Sequence, residues 1–274
     1  MRDDGIGWVL WTGTVGFQSS IEGRLEAAVA GGFGQMSLTP LDVVSADSGP
    51  EDLGRRLRDA GVDIVLEGFM TWYPGEQSAA IPLAAFTSAE VLGMFEALQA
   101  VSLTALARPT CDLSVDEVAK SFAAICDRAA DSGGRVQLEF APMMAIKDLP
   151  SASTIVEMAD RANGGLVFDT WHFFRGNPDF AALASLSGDR VFAVQVADAD
   201  ATVQGSLVED TFLRRQPGDG CFDLVRALQI LDRIDALKWV GPEVISPTTA
   251  AMTPVDAARV GLERTRDLIT RARS

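Results

Sequence analysis

The sequence predicts a single (β/α)8 barrel over residues 1–274, and three observations carry that prediction. Strand-like and helix-like segments alternate along the whole chain. The strand-like segments are short, nearly continuous apolar runs of the kind that parallel strands show when both faces are buried. No Gly-x-Gly-x-x-Gly follows the first strand, which leaves the doubly wound open sheet as the weaker alternative.

The elements follow in order. A strand-like run at 6–12 precedes helical spacing at 21–31, one at 34–38 precedes 50–60, and one at 63–68 precedes 87–100. The fourth and fifth runs, 102–107 and 135–142, are followed by helical segments at 114–132 and 150–162. The sixth, 165–173, is followed by the weakest helix, a short one around Phe180–Leu186. Runs at 190–199 and 238–245 complete the set, with helices at 222–234 and 254–272. Ser88, Ser114 and Thr253, the last followed by Pro254 and Asp256, supply helix-start chemistry, and Gly61 and Gly133 end helices just ahead of a strand.

Composition excludes several function classes. With 47% hydrophobic and 22% charged residues the chain has the material for a large core. A net charge of -15 with no basic stripe repels phosphate backbones and anionic headgroups, so neither nucleic acid nor a membrane surface is an expected partner. No apolar run reaches the roughly 20 residues that cross a bilayer. Cys111, Cys126 and Cys221 are odd in number and widely spaced, and Met1-Arg2-Asp3-Asp4 leads straight into a strand-like segment without a signal sequence. These features predict a cytoplasmic protein whose thiols serve packing, with a small-molecule substrate and with homo-oligomerisation left open.

Four polar residues stand near the C-terminal ends of successive apolar runs: Glu139, Asp169, Gln195 and Glu243. A barrel brings them to one mouth, the end where this fold builds its active sites. Buried carboxylates are costly unless paired, hydrogen-bonded or bound to a cation, so three of them together call for a cation. Ion pairing with Arg108, Arg175, Arg214 or Arg215 is the alternative that residue types alone leave open.

The order Leu138-Glu139, Phe168-Asp169-Thr170-Trp171-His172 in strand six, Val194-Gln195-Val196-Ala197-Asp198, Pro217-Gly218-Asp219-Gly220 and Gly241-Pro242-Glu243 resembles the xylose-isomerase-like superfamily of sugar phosphate isomerases and epimerases. The motifs cover the second half of the chain; the first half matches by its βα rhythm alone. The resemblance implies that Glu139, Asp169 and Glu243 are metal ligands, and that Gln195 stands where a histidine ligand is usual. It implies that His172 faces substrate, and that Arg214 or Arg215 contacts substrate or the site's carboxylates. Asp198 takes the place of a further ligand or of a partner to one. A site of three carboxylates and a neutral amide favours Mn²⁺ or Mg²⁺ over Zn²⁺.

Glu67 and Arg108 are further candidates for the mouth, as are the aromatic and Met residues near strand ends: Trp8, Trp11, Phe69, Trp72, Tyr73, Phe140, Met143, Met144, Trp171 and Phe173. Trp11, Trp72, Trp171 and Glu67 are taken as substrate contacts. So apolar a mouth, with only three lysines in the chain, suits a hydroxy-ketone less polar than a sugar phosphate. The resemblance implies a metal-assisted isomerase or epimerase in which Glu139 and Glu243 transfer the proton beside a carbonyl, helped by His172. A lyase or dehydratase on the same scaffold, and an accessory or binding subunit that has lost catalysis, are the alternatives.

Overall fold

A computed structural model describes residues 5–75 and 80–274, which leaves Met1–Asp4 and the expectation of an abrupt, leaderless start outside the described residues. Eight parallel strands close into a barrel in chain order: β1 (Gly7–Leu10), β2 (Gln35–Leu38), β3 (Asp63–Phe69), β4 (Ser102–Leu106), β5 (Arg135–Glu139), β6 (Gly164–Asp169), β7 (Val191–Val196) and β8 (Trp239–Pro242). Pairing of Gly7 with Trp239 and of Trp8 with Val240 joins the ends of the sheet.

Most predicted strands are trimmed at their C-terminal ends, where the chain turns into the loops of the mouth. The clearest case is 165–173. The Asp169 side chain accepts a hydrogen bond from His172 N–H and caps a helix at Thr170–Arg175, so Trp171 and His172 sit on a helical turn and not in strand six. Helix starts obey the same chemistry. Ser114 and Glu117 form a reciprocal capping box, and Thr253 caps Pro254–Ala272. At Ser88–Leu98 the cap is Thr87, paired with Glu90, one residue earlier than the expected Ser88. The short helix Pro40–Ser45, capped by Thr39 and Asp42, has too few residues to show a period and was not foreseen.

Helices pack outside the strands around one extensive apolar layer, in which each fully buried Val or Leu contributes about 1.5–3 kcal/mol. Inside the barrel a separate small cluster joins Val9, Trp11, Val65, Val167 and Ala193. Cys126 is buried, which pushes its thiol up to about 12, whereas Cys221 is exposed and does not have the packing role expected of it. Among the described residues no helix is long and apolar enough to cross a membrane.

Candidate active site

Side chains alternate along a strand, so the inner face climbs the barrel two residues at a time. Above Val65, Val167 and Ala193 the next inward positions are Glu67, Asp169 and Gln195. Gln137, whose amide donates to Thr104 Oγ1 at 2.8 Å within the barrel, is followed by Glu139. Glu243 stands just beyond β8, its N–H donating to Val196 O at 3.0 Å. Glu67, Glu139, Asp169, Gln195 and Glu243 line one cavity of about 270 Å³ together with His172 and Arg214. A roomier cavity of about 400 Å³ lies beside Val115–Ala130 and Leu149–Ala159, but among the described residues Tyr73 and Cys111 are its only ionisable groups, so the chemistry converges at the mouth.

Arg214 organises the charged side of this cavity. Its Nη1 donates to Asp169 Oδ2 at 2.8 Å and to Glu243 O at 3.1 Å, and its guanidinium lies 5.1 Å from the centre of the Trp171 ring. Nη2 is 3.4 Å from His172 Nε2. A guanidinium can only donate, so Nε2 is the acceptor and the ring proton belongs on Nδ1, which faces Glu139 Oε1 at 3.4 Å. Burial depresses the His172 pKa to about 4, in keeping with a neutral ring.

Burial dominates the carboxyl groups too. It raises Glu139 to about 8, reinforced by Asp169 and Glu67, and it raises Glu243 well above the ordinary carboxylate range. Asp169 moves the other way: burial opposes its charge, but Arg214 and His172 outweigh it and hold its pKa below normal.

Three ligand atoms, one each from Glu139, Asp169 and His172, lie within 4.8 Å of one another. The buried atoms Gln195 Oε1 and Glu243 Oε2 have no hydrogen-bond partner among the described residues. Oxygen atoms from Glu139, Asp169, Glu243 and Gln195 around one cavity therefore fit a divalent cation, which would satisfy those orphaned acceptors. His172 fits this ligand set poorly, because Arg214 commits its free lone pair and leaves Nδ1 protonated.

Several expected contacts fall elsewhere. Arg215 points to solvent and pairs with Asp200 at 2.9 Å, so of the two arginines Arg214 alone serves the cavity. Trp11 is fully buried against Val9, Val65, Val167 and Ala193, plugging the barrel beneath the carboxylates. Trp72 donates to Leu106 O at 3.0 Å and packs edge-on against Tyr73 and Phe122. Trp171 backs Arg214 with Ala197 and Ala199. None of these three tryptophans lines the cavity. Arg108 stacks on Tyr73 and donates to Met70, Tyr73 and Pro74 carbonyls, away from the mouth. Asp198 accepts hydrogen bonds from the N–H groups of Ala199, Gly218, Gly220 and Phe222, which makes it the clamp of the Pro217–Gly220 turn and not a ligand. A Cβ on Gly220 would fall 2.3 Å from the Asp198 carboxyl, so that turn requires glycine there.

The apolar lining comes instead from loops. Phe17 follows β1, Leu83 follows β3, Met143 and Met144 follow β5, Val208 and Phe212 follow β7 and Ile245 follows β8. Of the expected aromatic and Met set only Met143 and Met144 belong to this wall. Loop residues carry no periodicity that sequence reading can use, which is why the others escaped notice.

The comparisons with known proteins agree with this architecture. A 3-dehydroshikimate dehydratase of Pseudomonas aeruginosa is 29% identical over 77% of this chain, and the aligned part is 34% of that protein. An inosose isomerase of Bacillus subtilis is 27% identical over 54% of this chain and 53% of its own length. The chain thus spans about a third to a half of these curated relatives. A solved structure of the IolI protein with a bound zinc atom superposes with a TM-score of 0.84 at 19% identity, covering 97% of this chain and 99% of that one. An L-ribulose 3-epimerase gives 0.71 at 17% identity, with 97% and 95% covered. The model of the xylose isomerase-like TIM barrel matches residues 25–268, and the chain belongs to that family.

Proposed function

We propose that this chain is a divalent-metal-dependent isomerase or epimerase that moves a proton at the carbon beside the carbonyl of a hydroxy-ketone. The observation that carries the reading is the ring of Glu139, Asp169, Gln195 and Glu243 at or just beyond the C-terminal ends of four neighbouring strands, in a cavity whose remaining walls are largely apolar. Similarity to an inosose isomerase and, in fold, to an L-ribulose 3-epimerase supports it.

A divalent cation held by Glu139, Asp169, Glu243 and Gln195 would supply Lewis-acid polarisation of the carbonyl and its neighbouring hydroxyl. Mn²⁺ or Mg²⁺ suits the all-oxygen ligands. Glu139 and Glu243 form the proton-transfer pair: one removes the C–H proton as the electron pair moves onto the carbonyl oxygen, and the other returns a proton to carbon. In the cation-free site burial raises both pKa values, so each carboxyl can hold a proton near neutral pH. His172 Nδ1–H donates to the substrate oxygen, with Arg214 fixing its tautomer. Arg214 is the only cation lining the cavity among the described residues, and it is committed to Asp169, His172 and the Glu243 carbonyl. A dianionic phosphate has no counterion left, so the substrate is a less polar hydroxy-ketone.

Two measurements test this. Solvent deuterium should enter the product beside the carbonyl, and Glu243→Gln should lower kcat by roughly 10²–10⁴-fold with the fold intact; turnover without exchange would refute the mechanism. Gln195→His should move metal preference toward Zn²⁺ or Co²⁺, and unchanged preference would remove Gln195 from the ligand set. The dehydratase relative supports a second reading, in which the same proton removal is followed by loss of a β-hydroxyl. Release of an unsaturated ketone, followed by its ultraviolet absorbance, would identify that course.

A further inference from the structure

Glu243 is held by a neighbour that the strand pattern does not provide. The register of β1 with β8 ends at Trp8 and Val240, and by Thr12 the chain of β1 has wound into the helical turn Thr12–Val15. Beyond that point the hydroxyl of Thr14 stands in for a strand. Thr14 Oγ1 donates to Pro242 O at 2.6 Å and accepts from Val244 N–H at 3.0 Å, the two bonds that a residue on a parallel neighbour would make around Glu243. On the other side Val196 O accepts from Glu243 N–H at 3.0 Å, as a strand partner does. Thr14 is fully buried, so water does not compete for these bonds.

The same turn shapes the space beside the carboxyl. A Cβ on Gly13 would fall 2.5 Å from Glu243 Oε1 and 2.5 Å from Ile245 Cγ1, so a side chain there would displace one of them. The other carboxyl oxygen, Oε2, is buried with no hydrogen-bond partner among the described residues, so the direction of the carboxyl is set by its backbone and by the walls of its slot. Arg214 Nη1 donates to Glu243 O, Thr249 Oγ1 donates to Val244 O at 2.8 Å, and Arg214 N–H donates to Ile245 O at 3.1 Å. Of these partners only Thr14 bonds both peptide units that flank Glu243.

We propose that Thr14 is a positioning residue for Glu243, fixing the two peptide planes from which the carboxyl projects, with Gly13 reserving the space that the carboxyl occupies. The inference rests on the reading of Glu243 as metal ligand and proton-transfer base. Such a group must be held within about 0.5 Å of its working position, and the outer partners that orient a metal ligand are commonly worth roughly 10- to 100-fold in affinity. Thr14 does not line the cavity, so its effect must pass through Glu243.

Calorimetric titration of the folded, metal-free full chain with Mn²⁺ tests this without turnover. Thr14→Val, which keeps the shape and loses both bonds, should weaken Mn²⁺ binding roughly 10- to 100-fold, and Thr14→Ser, which keeps the hydroxyl, should retain most of the wild-type affinity. In a Glu243→Ala background, itself weakened, Thr14→Val should cost little more, whereas a general loss of packing would weaken both backgrounds alike. Gly13→Ala removes no hydrogen bond and suits a helical turn, so it serves the same test if Thr14→Val does not fold, and it too should lower Mn²⁺ affinity only where Glu243 is present. Wild-type affinity in the folded variants, or an equal loss with and without Glu243, would overturn the assignment. Failure of the ligand reading would show separately, as a wild type that binds no Mn²⁺ or a Glu243→Ala variant that binds it as tightly as the wild type. The crystal structure of Thr14→Val or Gly13→Ala then decides: a displaced Glu243 carboxyl upholds the positioning role and an unmoved one overturns it.

Discussion

The two halves of the barrel mouth are built on the same alternation but filled with different chemistry. Strands β5 to β8 present Glu139, Asp169, Gln195 and Glu243, tied together by Arg214. Strands β1 to β4 present Trp11 as a buried plug, Ser37 as a hydrogen-bond donor to Glu67, Glu67 as the one carboxyl, and Leu106 as wall. One half concentrates charge where a reaction centre can use it; the other sets the shape and hydrogen-bonding of what fits against that centre. A symmetric scaffold does not impose a symmetric site: the last inward residue changes from strand to strand, from Trp11 packed into the layer below to Gln195 with its oxygen unpartnered among the described residues.

Replacing the centre of the charged half should have the largest effect. Arg214→Met leaves the buried Asp169 carboxylate without its partner and should destabilise the cation-free protein by about 3–5 kcal/mol in chemical denaturation. Added Mn²⁺ should recover part of the loss. A mutant as stable as the wild type would mean that Arg214 is not the centre of that half.

Next in size is the response to pH. Glu139 is raised to about 8 and Glu67 to about 7, so between about pH 5 and 8 the folded, cation-free chain retains protons that the unfolded chain has released. Stability of that form should therefore fall as pH rises through this window. His172, depressed from 6.5 to about 4, acts oppositely: its contribution is full above about 6.5 and is lost as pH falls toward 4. A cation competes with the carboxyl protons, so Mn²⁺ affinity should rise by about tenfold per pH unit for each proton displaced. Isothermal titration at pH 6, 7 and 8 checks this, and a flat profile would show that Glu139 is not among the ligands.

Arg215→Ala should do least. Its pairing with Asp200 is exposed and screened by solvent, so the melting temperature should stay close to that of the wild type and kcat should be untouched. A large kinetic effect would make the two neighbouring arginines equivalent and blur the boundary of the charged half.

How much of this was legible in the sequence follows the same division. The barrel, its strand order and the four strand-end residues of the charged half could be read directly, because apolar runs and the positions of Glu139, Asp169, Gln195 and Glu243 are local signals. The choice between Arg214 and Arg215 could not, since neighbouring residues on a loop differ only in which way the backbone turns, and the role of Asp198 stayed open for want of the three N–H donors that come from sequence-distant Gly218, Gly220 and Phe222. The tryptophans misled for a related reason: nearness to a strand end does not distinguish an inward plug such as Trp11 from a cavity wall. Ser37 was within reach, as the inward position of β2 next to Gln35, but a lone serine in an apolar run announces little until Glu67 is seen across from it.

The loop after β7 is fastened at several points. Asp198 grips its returning end through backbone N–H groups, and the buried pair of Arg175 with Asp210, at 2.7 Å, grips its middle. Val208 and Phe212 project from the stretch around that second fastening, while Arg214 leaves the loop toward the reaction centre. Such bracing makes the loop a natural cassette: residues at 208 and 212 could be randomised in a directed-evolution library to retarget the protein, with the guanidinium held in register by bonds that the library never touches.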